Sequence, residues 1–255
     1  MRDIRKVIYP QKKILILAPH PDDDCIGMGA TIYFLKKSLA TIKILYLTSG
    51  WRGVKGNIPR AKKDKLRKVE AHYAVRVLGL AKRDIKFLSL PFYNKRKIGS
   101  EDIQILTEEI KRFHPQIIFT CGEEKDPHLT HKKCWEIIKE SMKNLGFSPK
   151  VYIYRVWKFF KKFDFYFPFT RKLMEMKIEA IKAHRSQLKP RYTKHKIYSF
   201  WERESKLNEF YGEILRKNYG MKNFLFAEVF KSCPYNPEKN RYFGKEKRNI
   251  YKIVE

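Results

Sequence analysis

The chain reaches its first uninterrupted apolar run at residues 14–18, bounded by Lys13 and by Pro19-His20-Pro21. A strand buried on both faces reads this way, because neither side of its pleat meets water. Residues 26–37 read as a helix with Gly27 and Gly29 at its start, and 42–48 as a second apolar strand. Apolar residues then recur at helical spacing (Leu66, Val69, Tyr73, Val77), predicting a helix over 62–78 that stops at Gly79. Strand and helix patterns go on alternating: β at 85–88, α at 101–113, β at 116–121, α at 129–145 and an alternating strand at 151–157.

This alternation predicts a single α/β domain over residues 1–255, Rossmann-like, its mostly parallel sheet carrying helices on both faces. Neither repeats nor linkers break the chain, and its length suffices for one sizeable core. In such sheets ligands sit beyond the carboxyl ends of the strands. The polar clusters after Ala18, Thr48 and Cys121 should therefore meet in one crevice.

Composition narrows the setting. With 43% hydrophobic and 15% aromatic residues the chain is too apolar for a disordered tail, yet no stretch approaches the ~20 apolar residues of a membrane span. The run at 14–18 is too short for a signal peptide, so a cytoplasmic protein is expected, with peripheral membrane contact at most. Four scattered cysteines without a CxxC pair argue against a disulfide scaffold. The 56 Lys and Arg against 27 Asp and Glu, a net charge of +29, attract phosphorylated substrates, anionic lipid or nucleic acid. The lysines are spread along the chain, and no helix-turn-helix, RNA-recognition or zinc-finger pattern is present, so no specific nucleic acid is expected.

Two clusters carry chemistry. The first, Pro19-His20-Pro21-Asp22-Asp23-Asp24, crowds an imidazole and three carboxylates at the end of a buried strand. Adjacent carboxylates repel unless a cation neutralises them, and His-x-x-Asp spacing brings one nitrogen and one oxygen to a common point. An Asp-rich turn that merely caps the next helix is the alternative. In the second, Asp126-Pro127-His128-Leu129-Thr130-His131, two histidines share one side of a first helical turn. Three protein ligands and an open position form the pattern of catalytic zinc, which His20, Asp23 and His131 would satisfy.

These stretches resemble the PIG-L/LmbE family of zinc-dependent N-acetyl sugar deacetylases. The family's A-H-P-D-D-E signature matches His20, Pro21, Asp22 and Asp23, with Asp24 in place of the usual Glu; its His-x-x-His signature matches His128 and His131. Three weaker patterns follow in order: Arg67, Glu70, Ala74, Leu78 and Gly79; Lys177, Ala180, His184, Ser186 and Gln187; and Ala227, Glu228 and Phe230. The resemblance implies that His20, Asp23 and His131 hold Zn2+, that Asp22 is the general base, that His128 helps to stabilise the oxyanion, and that Arg67 contacts the sugar or its phosphate. The implied substrate is an N-acetylglucosaminyl-type sugar, anionic or lipid-linked substrates being included. A zinc amidase acting on another N-acyl compound, such as a thiol conjugate, and a non-catalytic polyanion-binding module are the rival readings. The segment 158–168 (KFFKKFDFYFP) is either a strand of core aromatics or an edge suited to an anionic membrane surface.

Overall fold

The apolar run after Lys13 lies at the centre of the parallel part of an eight-stranded sheet in the computed structural model. The structure describes residues 1–8, 12–122, 126–188, 199–221 and 223–233, together with the backbone of four short strands. The sheet contains β1 (Arg2–Asp3), β2 (Lys13–Ala18), β3 (Thr41–Tyr46), β4 (Ile85–Phe87), β5 (Ile117–Thr120), β6 (Lys150–Tyr154), β7 (Phe165–Phe169) and β10 (Phe226–Ser232). The short strands pair outside it, β8 (Arg191–Tyr192) with β9 (Ile197–Tyr198) and β11 (Tyr235–Asn236) with β12 (Arg241–Tyr242). The β-strand order is β1-β7-β10-β6-β5-β2-β3-β4. The five strands from β6 to β4 are mutually parallel, whereas β10 runs antiparallel to both β6 and β7.

Alternate residues of β2 feed two cores. Ile14, Ile16 and Ala18 pack beneath α2 (Asp23–Lys37), α3 (Arg60–Val77) and α7 (Arg171–Lys182). Leu15 and Leu17 pack beneath α5 (Ser100–Phe113) and α6 (Leu129–Lys143), where Tyr211 and Leu215 of α8 (Phe200–Tyr219) join them. Burial on both faces explains why these strands read as continuous apolar runs. Two single turns, α1 (Arg5–Ile8) and α4 (Phe92–Lys95), complete the α-helices among the described residues, beside three 3-10 turns. No helix there is long and apolar enough to cross a membrane.

The chain leaves β2 toward β3 and β4, then returns to form β5 on the other side of β2. That reversal opens a crevice at the carboxyl ends of β2 and β5, the position where doubly wound sheets bind ligands. Gly27 lets α2 approach the sheet there: a Cβ on it would stand 2.2 Å from Cδ2 of Tyr154, whose hydroxyl donates to the Leu17 carbonyl at 3.0 Å. The helix begins at Asp23, three residues before the apolar spacing suggests, and bends at Met28 (φ −149°, ψ 27°).

Two segments differ from the simplest reading of their apolar residues. The stripe that reveals α3 faces water, Tyr73 being 60% exposed, while Arg67, Glu70, Ala71, Ala74 and Val75 are buried. Polar side chains turn inward here because they meet partners from other elements. In the aromatic segment, Phe165, Phe167 and Phe169 are core residues of β7, which lies between β1 and β10; Phe159 is the exposed ring.

Candidate active site

Beyond Ala18 the backbone turns sharply through Pro19-His20-Pro21 into α2. Asp22 adopts φ 153° and ψ −26°, a conformation that L-residues rarely hold unless their surroundings fix it. Its carbonyl accepts from the Ile26 N–H at 3.0 Å and from the Cys25 thiol at 3.1 Å. Beyond β5, residues 126–131 bring Asp126, His128 and His131 to the same crevice, His128 at the N-cap of α6 and His131 in its first turn.

Three donor atoms converge. Asp23 Oδ2 lies 3.2 Å from His20 Nδ1 and 3.2 Å from His131 Nε2, and the two ring nitrogens are 3.3 Å apart. A tetrahedral ion with bonds of ~2.0–2.1 Å separates its ligand atoms by about 3.3 Å, so this N2O set fits a small divalent cation such as zinc. Asp126 Oδ2 stands 3.4 Å from His131 Nδ1, the far side of the ring, where a carboxylate orients a metal-binding imidazole. The same carboxylate accepts from the His128 N–H at 2.8 Å. Cys121 Sγ is 3.9 Å from His131 Nδ1, but burial pushes its thiol up to about 12, leaving it a protonated neighbour.

The groups around the cradle are tuned by burial and charge. Burial opposes ionisation of Asp23, yet His131 and His20 outweigh it and hold the carboxyl far below the usual range. Burial likewise lowers His131, while the carboxylates of Asp23 and Asp126 raise it well above the usual imidazole value. Asp22 shifts upward through burial, against the opposing influence of Arg67. His128 is brought down to about 4, first by burial and then by His20 and His131, so it is neutral at pH 7. Its ring stacks near Trp157 (centroids 6.0 Å apart, 14° between planes) and meets His20 edge-on at 5.0 Å. Asp24, the residue after the Asp pair, points away beneath α2, where the Tyr46 hydroxyl donates to it at 3.0 Å and burial raises it to about 7.

All six residues singled out from the sequence meet here. His20, Asp22, Asp23, Arg67 and His128 line a cavity of about 310 Å3, and His131 is fully buried behind it. That volume lies near the lower end for small-molecule sites. Arg67 is 1% exposed; its guanidinium reaches Asp22 Oδ2 at 3.0 Å, the Pro21 carbonyl, and Glu70 Oε2 at 3.5 Å. Glu70 accepts from Ser186 through its N–H (2.6 Å) and hydroxyl (2.7 Å). Lys177 donates to Glu228 at 2.7 Å, and Glu228 also accepts from Ala30 N, Thr31 N and Thr31 Oγ1. The three weaker sequence patterns thus form two buried polar clusters, Arg67–Glu70–Ser186 against Asp22 and Lys177–Glu228 beneath α2.

Asp126, Arg52, Tyr93 and Trp157 were not assigned roles from the sequence. Asp126 lies inside a cluster that was noticed, and only the fold shows which nitrogen it faces. Arg52 reads as a loop residue and Trp157 as the end of a strand over 151–157, whereas β6 stops at Tyr154 and Trp157 lines the cavity with Arg52.

The site is thus a three-donor cradle that could hold a metal ion, set at the switch point of a doubly wound α/β sheet. The family model for PIG-L, GlcNAc-PI de-N-acetylase, matches residues 15–142, and the chain belongs to that family, hydrolases of N-acetyl amide bonds. The diacetylchitobiose deacetylase of Thermococcus kodakarensis is 26% identical over 209 residues, covering 75% of this chain and 74% of that protein. A Bacteroides thetaiotaomicron protein described as a putative glucosamine-6-phosphate deaminase-like protein is 23% identical; the match covers 78% of this chain but only 39% of that protein's length. Among solved structures, GalB of Pseudomonas putida, a 4-carboxy-2-hydroxymuconate hydratase, superposes with a TM-score of 0.70 at 20% identity over 87% of this chain and 96% of its own. A hydratase on the same fold means that the reaction must be argued from the site.

Proposed function

We propose that this chain is a metal-dependent deacetylase of an amino sugar, zinc being the ion expected, and that it converts an acetamide and water into an amine and acetate. The observation that carries the reading is the cradle of His20 Nδ1, Asp23 Oδ2 and His131 Nε2 beside a half-buried carboxylate, Asp22, which is outside that set. An ion held there would supply Lewis acidity toward water and the acetamide carbonyl.

The chain's own groups account for the rest. Arg67 holds Asp22 Oδ2, which leaves Oδ1 to accept a proton from the attacking water. The water oxygen bonds to the carbonyl carbon, and neutral His128 donates a hydrogen bond to the oxygen as charge develops on it. With a pKa near 4, His128 is a poor proton donor at pH 7, so Asp22 returns its proton to the amide nitrogen as the C–N bond breaks. Trp157 and Tyr93 give the cavity apolar walls on which a sugar ring can lie.

The test is acetate release from a panel of acetamido sugars, with bound metal measured in parallel. Asp22→Asn should lower kcat by about 10²–10⁴-fold while metal stays bound. His131→Ala should lose both metal and turnover. Near-normal turnover by Asp22→Asn would overturn the general-base assignment.

A further inference from the structure

His184 stands two residues beyond the end of α7 and lines the cavity on the side of Ile181 and Leu188. Its backbone is fixed: the N–H donates to the Ile181 carbonyl at 3.1 Å, and the carbonyl accepts from the Gln187 N–H at 2.8 Å. The turn Arg185–Gln187 beyond it is tied to α3, because Ser186 donates to Glu70 through both N–H and hydroxyl. Gly53 closes on the same turn so tightly that a Cβ there would stand 2.6 Å from Oε1 of Gln187. The imidazole is thus carried at the cavity wall by a frame pinned from several sides.

Both of its ring nitrogens are buried, and neither has a hydrogen-bond partner among the described residues. His20 and His131, by contrast, share the Asp23 carboxylate. Leaving a buried polar atom unmet is costly, so such an atom beside a binding cavity points to a partner that arrives with the ligand. The neighbours narrow its chemistry. Ile181, Leu188 and Phe200 line the cavity with no polar side-chain atom to offer, so the hydrogen bond has to come from the ligand. Burial, and then the Arg67 guanidinium, disfavour a second proton on the ring, which leaves one N–H and one bare nitrogen. A hydroxyl can meet either, accepting from the N–H or donating to the bare nitrogen, whereas an anion can meet only the first.

We infer that His184 binds a hydroxyl of the acetamido sugar and makes turnover depend on it. This inference rests on the proposed deacetylase reading and adds to it a residue that selects among sugars. A sugar without that hydroxyl would fill the cavity and leave the nitrogen buried and unmet, which is how a site built for a hydroxyl rejects the analogue lacking it.

The experiment measures acetate release from N-acetylglucosamine and from its 3-, 4- and 6-deoxy analogues by wild type, His184→Leu and His184→Gln. Binding of glucosamine and of the matching deoxy amines is followed by calorimetry on the same proteins. Wild type should lose about 10–100-fold in kcat/KM on one of the three deoxy sugars and much less on the other two. In His184→Leu that discrimination should vanish, parent and deoxy sugar turning over with a similar, lowered kcat/KM. His184→Gln keeps a donor and an acceptor at a different reach, and should retain only part of it. A fall shared equally by all four sugars, unchanged ratios in every variant that folds, or a wild type indifferent to all three positions overturns the inference. Discrimination among the amines that depends on His184, without acetate release from any sugar, would uphold the hydroxyl contact and overturn the deacetylase reading; absence of both would overturn both.

Discussion

Arg67 Nη2 lies 3.0 Å from Asp22 Oδ2, a contact that joins a buried helix residue to the candidate general base across 45 residues of chain. Arg67 is itself held by the Pro21 carbonyl and by Glu70, so it can position Asp22 as well as stabilise its charge. The resemblance suggests a contact with the sugar; the hydrogen bonds assign the guanidinium a second task.

That contact predicts a shift in pH dependence. Burial raises Asp22, and Arg67 counteracts it. Without the guanidinium the carboxyl should titrate higher still, and the base works only when deprotonated. In Arg67→Met, the acid limb of kcat/KM should therefore move to higher pH and the plateau should fall about 10²-fold. Arg67→Lys should give a smaller shift. The check is a pH–rate profile from pH 5 to 9 on one acetamide; an acid limb that stays in place would separate Arg67 from the base.

Asp126 should govern the metal more than the chemistry. Its carboxylate faces His131 Nδ1 at 3.4 Å, leaving Nε2 directed at the cradle. Asp126→Asn should weaken metal affinity by about 10–100-fold. Titration with a competing chelator measures this directly, and excess metal should restore much of the activity. Unchanged affinity would place the orientation of His131 under other control.

How far these features are legible from sequence depends on what surrounds each one. The strand at 14–18 announces itself because both faces are buried, which leaves no polar position inside it; the strand at 42–48 is interrupted only by the half-buried Lys43 before Thr48 ends it. The His20–Asp23 cluster is legible because adjacent carboxylates call for a cation. The buried face of α3 is not, since its inward positions include Arg67 and Glu70, whose partners, Asp22 and Ser186, lie on remote segments. The place of β10 between β6 and β7 is likewise hidden, because an antiparallel strand inserted among parallel ones leaves no periodic trace. Arg52 follows the same logic, its environment being made by Tyr93, about forty residues away.

The pair Lys177–Glu228 predicts a stability effect remote from the reacting atoms. Both side chains are fully buried, and Glu228 also collects two backbone N–H groups of α2 next to its bend. Lys177→Met leaves a buried carboxylate without its cation and should cost about 3–5 kcal/mol. Lys177→Met combined with Glu228→Gln should recover part of that loss. Urea unfolding of the single and double variants measures it, and strict additivity of the two substitutions would mean the pair is not coupled.

His184 supplies a pH-dependent term of definite sign. It is 1% exposed, neither ring nitrogen has a hydrogen-bond partner among the described residues, and burial, then Arg67, holds its pKa well below 6.5. The native chain therefore keeps this imidazole neutral, whereas the unfolded chain protonates it as the pH drops through about 6.5. Between those two pKa values the unfolded state binds more protons, so the native state loses stability on acidification; above about pH 7.5 the term vanishes. The stability difference between wild type and His184→Gln should thus shrink by about 1 kcal/mol per pH unit below pH 6. Urea unfolding at pH 5, 6 and 7.5 tests this, since titrations common to both proteins cancel. A difference that stays constant across that range would mean that His184 takes up its proton in the folded protein, in contact with groups or water that satisfy the charge.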